Sequence, residues 1–279
     1  MRKIKSLVLL KFLLLASCAP KAFFISQPKL VSVYFDREIN KLEKKNSPNI
    51  ADRRLLIKKK IEYGFGVIME EANRMIDEDY ARALMKYKKA NKIFIEARES
   101  GLSIISEKYP EFNSWLRKES SINFQKEDVS DMYWLAASYG GSISSSRGDP
   151  FELINLPKVG RILNQCIQID PAWNNGSLFS AMMSFTATRS DINEKMLRDS
   201  VDFYFDKAVK FSNGMDAGPY MTYAESIHKT FQERKDFVNK LNYVLKMEIV
   251  PKSDFELTNL LAKNRAKWLL TKTDEYFLE

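Results

Sequence analysis

The chain has 279 residues, 45% of them hydrophobic, with a formal net charge of +8; this is a globular composition, long enough for one large domain or two fused ones. Its single histidine and two cysteines exclude a disulfide framework and, with no HExxH or CxxC pair, the common zinc sites. Ser–His or Cys–His catalysis would have to run through His228, and no GxSxG elbow accompanies it.

The N-terminal stretch comes first in chain order. Arg2, Lys3 and Lys5 precede an apolar run broken by Lys11, the layout of a secretory signal. The run is too short and too interrupted for a membrane-spanning helix of ~20 apolar residues. Leu15-Ala16-Ser17-Cys18 resembles the bacterial lipobox, which predicts cleavage before Cys18 and lipid attached to it. The expected division is a signal peptide over 1–17, a lipidated N-terminus and linker over 18–30, and one helical domain over 31–279. Several acyl chains anchor durably, because each buried CH₂ adds ~0.8 kcal/mol. Ala19 stands where an Asp would favour inner-membrane retention, so the outer membrane is the favoured address. Arg2, Lys3, Lys5 and Lys11 all belong to the leader, so much of the basic charge serves targeting. The other cations are interspersed with acids except Lys58-Lys59-Lys60, a run that reads as a solvated helix face. A nucleic-acid footprint would be clustered, so no nucleic-acid partner is expected. With Cys18 lipidated, Cys166 is a lone thiol in an apolar register and reads as a small core residue.

After residue 50 nearly every segment reads as helix, with breaks at Tyr109-Pro110, Gly148-Asp149-Pro150, Leu156-Pro157, Asp170-Pro171, Asn213-Gly214, Gly218-Pro219 and Val250-Pro251. Alternating strand patterns are absent. A recurring register of apolar or small residues at 0, +4 and +7 appears at Ala83/Tyr87/Ala90, Val159/Leu163/Cys166, Val201/Phe205/Ala208 and Phe237/Leu241/Val244. Leu178, Ala181, Met182 and Phe185 fill the positions expected of a preceding helix. The predicted fold is all-α: a degenerate tetratricopeptide-like array, or α-solenoid, of about four helix pairs. Residues 255–277 form its capping helix, for which Ser253 and Glu256 give a capping-box spacing. "SYGGSISSSRGDP", residues 138–150, could suggest a phosphate cradle, but it lacks the GxxxxGK[ST] spacing and a preceding strand. It reads as a helix end running into a turn. No enzyme signature emerges, no cofactor is expected, and His228 reads as structural.

Five blocks in order carry a resemblance. They are "EYGFGVIMEEANRM" (62–75), "IFIEARESGLSIISEKYPEF" (93–112), "KEDVSDMYWLAASYGGSIS" (126–144), "LPKVGRILNQCIQIDPAWNNG" (156–176) and "LLAKNRAKWLLTKTDEYF" (260–277). Together they resemble the T-component lipoproteins associated with TRAP transporters. The resemblance implies an all-helical, lipid-tethered periplasmic protein assembling as a homotrimer around a pore. It further implies a solute-binding protein of a tripartite ATP-independent transporter as partner, and a role in taking up or handing over a small organic solute of apolar character. An alternative function is an outer-membrane repeat scaffold that recruits peptide segments of other proteins; an enzyme acting through His228 is a third.

Candidate ligand or pore residues lie where helices start or face inward. Asn174, Asn175 and Gly176 line a pore or cap a helix, capping being the ordinary role of Asn. Tyr133, Trp134 and Tyr139 stripe one helix as core. Tyr220 and Tyr223 are expected at an exposed aromatic edge beside the Gly218-Pro219 turn. Asn264 and Trp268, four apart, share a face of the last helix, which by default packs on the preceding pair.

Overall fold

The computed structural model describes residues 28–278. The leader and Cys18 lie outside the described residues, so the lipidation expectation is not addressed by the fold. The described helices are α1 (Pro28–Glu43), α2 (Ile50–Tyr63), α3 (Glu70–Met75), α4 (Tyr80–Lys108), α5 (Phe112–Leu116), α6 (Val129–Ser145) and α7 (Pro150–Leu153). They continue with α8 (Leu156–Ile169), α9 (Ser177–Thr186), α10 (Glu194–Phe211), α11 (Gly218–Tyr223), α12 (Arg234–Lys246), α13 (Glu256–Thr271) and α14 (Thr273–Tyr276). No β-strand occurs among the described residues. Two π-helical segments interrupt the α pattern: Gly64–Met69 between α2 and α3, and Ala224–His228 after α11.

Local chemistry sets the ends. Asn49 and Asp52 form a reciprocal capping box at α2, while Asp79 and Asn193 accept backbone N–H groups at the starts of α4 and α10, each satisfying a donor the helix leaves free. Every predicted break falls at a helix end except Val250-Pro251, which lies in the loop between α12 and α13; Pro150, Pro157 and Pro219 stand in first turns, where proline's missing N–H costs nothing.

Each long helix packs against its successor: α1 on α2, α2 on α4, α4 on α6, α6 on α8, then α8 through α13 in order. The core is accordingly a succession of clusters, one joining α1, α2 and α4, another α5, α6, α8 and α9, and a third α11 to α13. All the register residues named above are buried except Phe205, which is half-buried. Close approach is bought with glycine at three crossings. A Cβ on Gly64 or Gly141 would come within 2.4 or 2.3 Å of the Phe94 ring, and one on Gly160 within 2.5 Å of Phe185.

Three expectations fail. Ala83, Tyr87 and Ala90 sit in a 29-residue helix with no break after the register, so the N-terminal half is not built of repeat-length pairs. Ser253 does not cap the last helix: α13 starts at Glu256, and the Ser253 hydroxyl donates instead to the Val250 carbonyl at 2.8 Å. The segment 255–277 is also broken, at Lys272, into α13 and α14. The 138–150 stretch behaves as expected. Ser138, Ser142 and Ser145 are buried and donate to carbonyls of their own helix, Gly148 turns at φ 96°, and Asp149 caps α7.

Candidate functional site

The last long helix, α13, comes back to the short helix α3. On α13, the Asn264 side-chain oxygen accepts from Arg74 Nη2 at 2.6 Å, although the two are 190 residues apart. Arg74 Nε donates to Glu70 at 2.7 Å, and Glu70's other oxygen pairs with Arg265. Arg265 then reaches Glu225 through Nε at 2.7 Å and through Nη2. The result is an unbroken ladder, Asn264–Arg74–Glu70–Arg265–Glu225, that joins α3, α13 and the second π segment. The Arg74 and Arg265 guanidiniums lie 5.5 and 5.8 Å from the centre of the Trp268 ring, within cation–π range. Both carboxylates that hold Arg265 are placed by the irregular helices: Glu70 opens α3 directly after the first π segment, and Glu225 lies within the second. A π-turn adds a residue and rotates the helix face that follows, which re-aims these carboxylates toward α13.

Burial works against the charge of Arg265, but Glu225 and Glu70 more than compensate and hold it above its usual range. Its side chain still keeps 24% of its surface. Tyr133 on α6 is similar: burial, then the Asp216 charge, push its phenol up to about 12, yet part of it stays accessible. Burial also raises the Asp216 carboxyl, opposed by the Gly218 N–H.

The other predicted residues are held elsewhere. Asn174 (φ 46°), Asn175 (φ 54°) and Gly176 (φ 91°) form a left-handed turn before α9, a conformation that Asn tolerates and Gly favours. Asn174 Nδ2 donates to the Ser177 hydroxyl at 2.7 Å and Asn175 Nδ2 to Asp254 at 3.1 Å, both on the exposed surface. Neither makes the usual Asn side-chain cap; Gly176 occupies the N-cap position of α9. Tyr220 and Tyr223 are not an exposed edge. They are half-buried in an aromatic cluster with Phe205 and Tyr243, and Tyr223 donates to Asp202 at 2.5 Å. Lys240 lies 4.6 Å from the Tyr223 ring centre. His228 is buried against Tyr223, its Nδ1 2.6 Å from Glu233. Asp236 lies close enough to complete a three-ligand group, but Arg198 pairs with the other Glu233 oxygen at 3.0 Å and already supplies the positive charge there.

Asn264 and Trp268 thus share a face: Asn264 meets Arg74 of α3, while Trp268 lies beside Arg74 and also packs on the core of the preceding pair, as expected. Glu70, Arg74, Glu225 and Arg265 escaped the sequence reading. The one available signal was the i, i+4 spacing of Glu70 and Arg74, which any exposed helix shows.

Residues 49–277 match the family TAtT, described as TRAP transporter T-component. The chain belongs to this family. A T-component is a transporter accessory protein and not a member of a known enzyme family, and membership implies a periplasmic, membrane-associated protein. No helix among the described residues is long and apolar enough to cross a membrane. The T-component is also similar to an uncharacterized protein of Treponema pallidum (strain Nichols), 17% identical over 226 residues, which cover 78% of this chain and 70% of that one.

Proposed function

We propose that this T-component is held at the periplasmic face by lipid on Cys18 and binds the solute-binding subunit of its TRAP transporter, assisting uptake or hand-over of a small organic solute with apolar character. The observation that carries this is the family match over residues 49–277. The sequential packing of helices supports a degenerate tetratricopeptide-like solenoid, an architecture whose concave side suits an extended partner or a solute. A homotrimer is the assembly the family resemblance suggests. On α13, the half-buried Trp268 ring with the Arg74 and Arg265 guanidiniums over it sets apolar surface beside positive charge, fitted to a solute with one polar end.

Calorimetric titration with the solute-binding subunit tests the proposal. Saturable binding at one subunit per chain is expected, weakened by Trp268→Ala. Absence of binding at any solute concentration would overturn it. The anchor is tested separately by comparing the mass and membrane fraction of Cys18→Ser with the parent; an unchanged mass and unchanged membrane retention would remove it.

A further inference from the structure

The corner between α6 and α8 exposes large apolar side chains in a short span. Phe151 is 85% exposed and Ile154 75%, with Leu153 beside them at 43%. Phe151 and Ile154 are three residues apart and share a face of the turn. Glu152, between them, points the other way, buried and bonded to Arg98 at 2.7 Å and to Ser142 at 2.7 Å. This inward clamp holds the four-residue helix α7 so that its apolar side faces out. Such exposure marks a protruding tip rather than a groove.

Cations gather at this corner. Arg147 and Lys158 rest on the faces of Tyr87 and Tyr139 rather than on carboxylates. Lys158 also donates to Asn155, and its charge is felt by Glu152. Arg117 is near enough for its charge to act on Lys158, though it pairs with Glu119. The acids of the corner are Asp149, which caps α7, and Glu152 and Glu119, each neutralised by an arginine. The corner is therefore an apolar tip with surplus positive charge behind it.

We propose that this corner is a second membrane contact, independent of Cys18: Phe151 and Ile154 enter the interface of an anionic bilayer while Arg147 and Lys158 meet lipid phosphates. The chemistry is that of interfacial segments, apolar side chains at the acyl boundary with basic residues at the headgroups. A tip of this shape fits a deformable apolar medium better than a rigid partner. A second copy docked tip to tip would set the same surplus cations against each other, which opposes association.

The test uses the chain from residue 18 with Cys18→Ser, which keeps every described residue but has no lipid, in flotation with vesicles of phosphatidylglycerol and phosphatidylcholine. Binding is expected, weaker at high salt and on phosphatidylcholine alone. Phe151→Ser with Ile154→Ser should weaken it about tenfold or more, and Lys158→Gln about fivefold. Phe151 and Ile154 are exposed and Lys158 is half-buried, and unaltered melting temperatures would certify the folds of both variants. No flotation, equal flotation of the Phe151→Ser/Ile154→Ser variant, or equal binding to neutral vesicles would overturn the proposal. So would concentration-dependent self-association in light scattering that the same variant abolishes, which would assign the corner to a second copy.

Discussion

Two adjacent glycines on α6 should respond to alanine with opposite sign. Gly140 has open space around a new Cβ, with nothing within 4 Å. Gly140→Ala should therefore show only the helical preference for Ala, a gain of about 1 kcal/mol. Gly141→Ala has the same gain, but its Cβ meets Phe94 Cδ1 at 2.3 Å, Cε1 at 2.4 Å and Cγ at 2.6 Å. The ring cannot slide away, because a Gly64 Cβ position lies 2.4 Å from its far edge and Phe94 itself is fully buried. Forcing extra volume into a filled core costs typically 1–3 kcal/mol and at times more, and with both sides blocked the upper end applies. The net expectation is a loss of about 1–2 kcal/mol for Gly141→Ala, and a gap of roughly 2–3 kcal/mol between the neighbouring variants. Urea denaturation followed by helical circular dichroism measures it directly. In thermal melts the gap should reach about 5–10 °C, at 2–4 °C per kcal/mol for a chain of this size class. Phe94→Leu placed in the Gly141→Ala background should recover part of the loss. Equal stability of the two alanine variants would refute the claim that Phe94 is wedged between the two glycines.

Arg265→Ala should cost about 2 kcal/mol or more, because Glu70 and Glu225 lose their shared cation, with the partial exposure of the site holding the loss below that of a fully buried pair; adding Glu70→Gln and Glu225→Gln should restore part of it in urea titrations. Asp128 gives a pH dependence. Burial opposes its ionisation, but Lys108, the Tyr109 hydroxyl and the Gln125 N–H together hold its carboxyl below the usual range. A depressed carboxylate contributes stability above its unfolded value of ~3.9, and that stability is lost as pH falls through the lower folded value. Asp128→Asn should accordingly lower the melting temperature at neutral pH and flatten the acid limb below about pH 4. Cys166 is buried and its thiol is pushed up to about 12 by burial, so in the Cys18→Ser chain a thiol reagent should label nothing until urea unfolds the protein; prompt labelling of the native chain would contradict its core position.

Much of the helical framework was legible in residue order because its causes are local. Pro150, Pro157 and Pro219 can stand only near helix starts, Asn49 and Asn193 bind N–H groups within three residues, and the register Val159/Leu163/Cys166 or Phe237/Leu241/Val244 needs only helical periodicity to declare a buried face. The break between Asp170 and the left-handed Asn174–Gly176 turn is local in the same way. The predicted capping of α13 by Ser253 failed because a capping-box spacing does not show which backbone group the hydroxyl will meet, and the nearer Val250 carbonyl took it.

What depended on tertiary structure was everything reaching across the chain. No spacing rule pairs Arg265 with Glu70, 195 residues away, since a charged side chain carries no record of which opposite charge the fold will bring near. The π segments that aim Glu70 and Glu225 are also hidden, because an inserted residue in a helix leaves the apolar pattern nearly intact. Asn264 and Trp268 could be placed on one face from sequence, as four residues make about one helical turn. That this face meets α3 as well as the neighbouring pair follows from the sum of many helix crossings, such as those at Gly64, Gly141 and Gly160. Those angles are set by side-chain volumes meeting in three dimensions, and only the folded chain contains them.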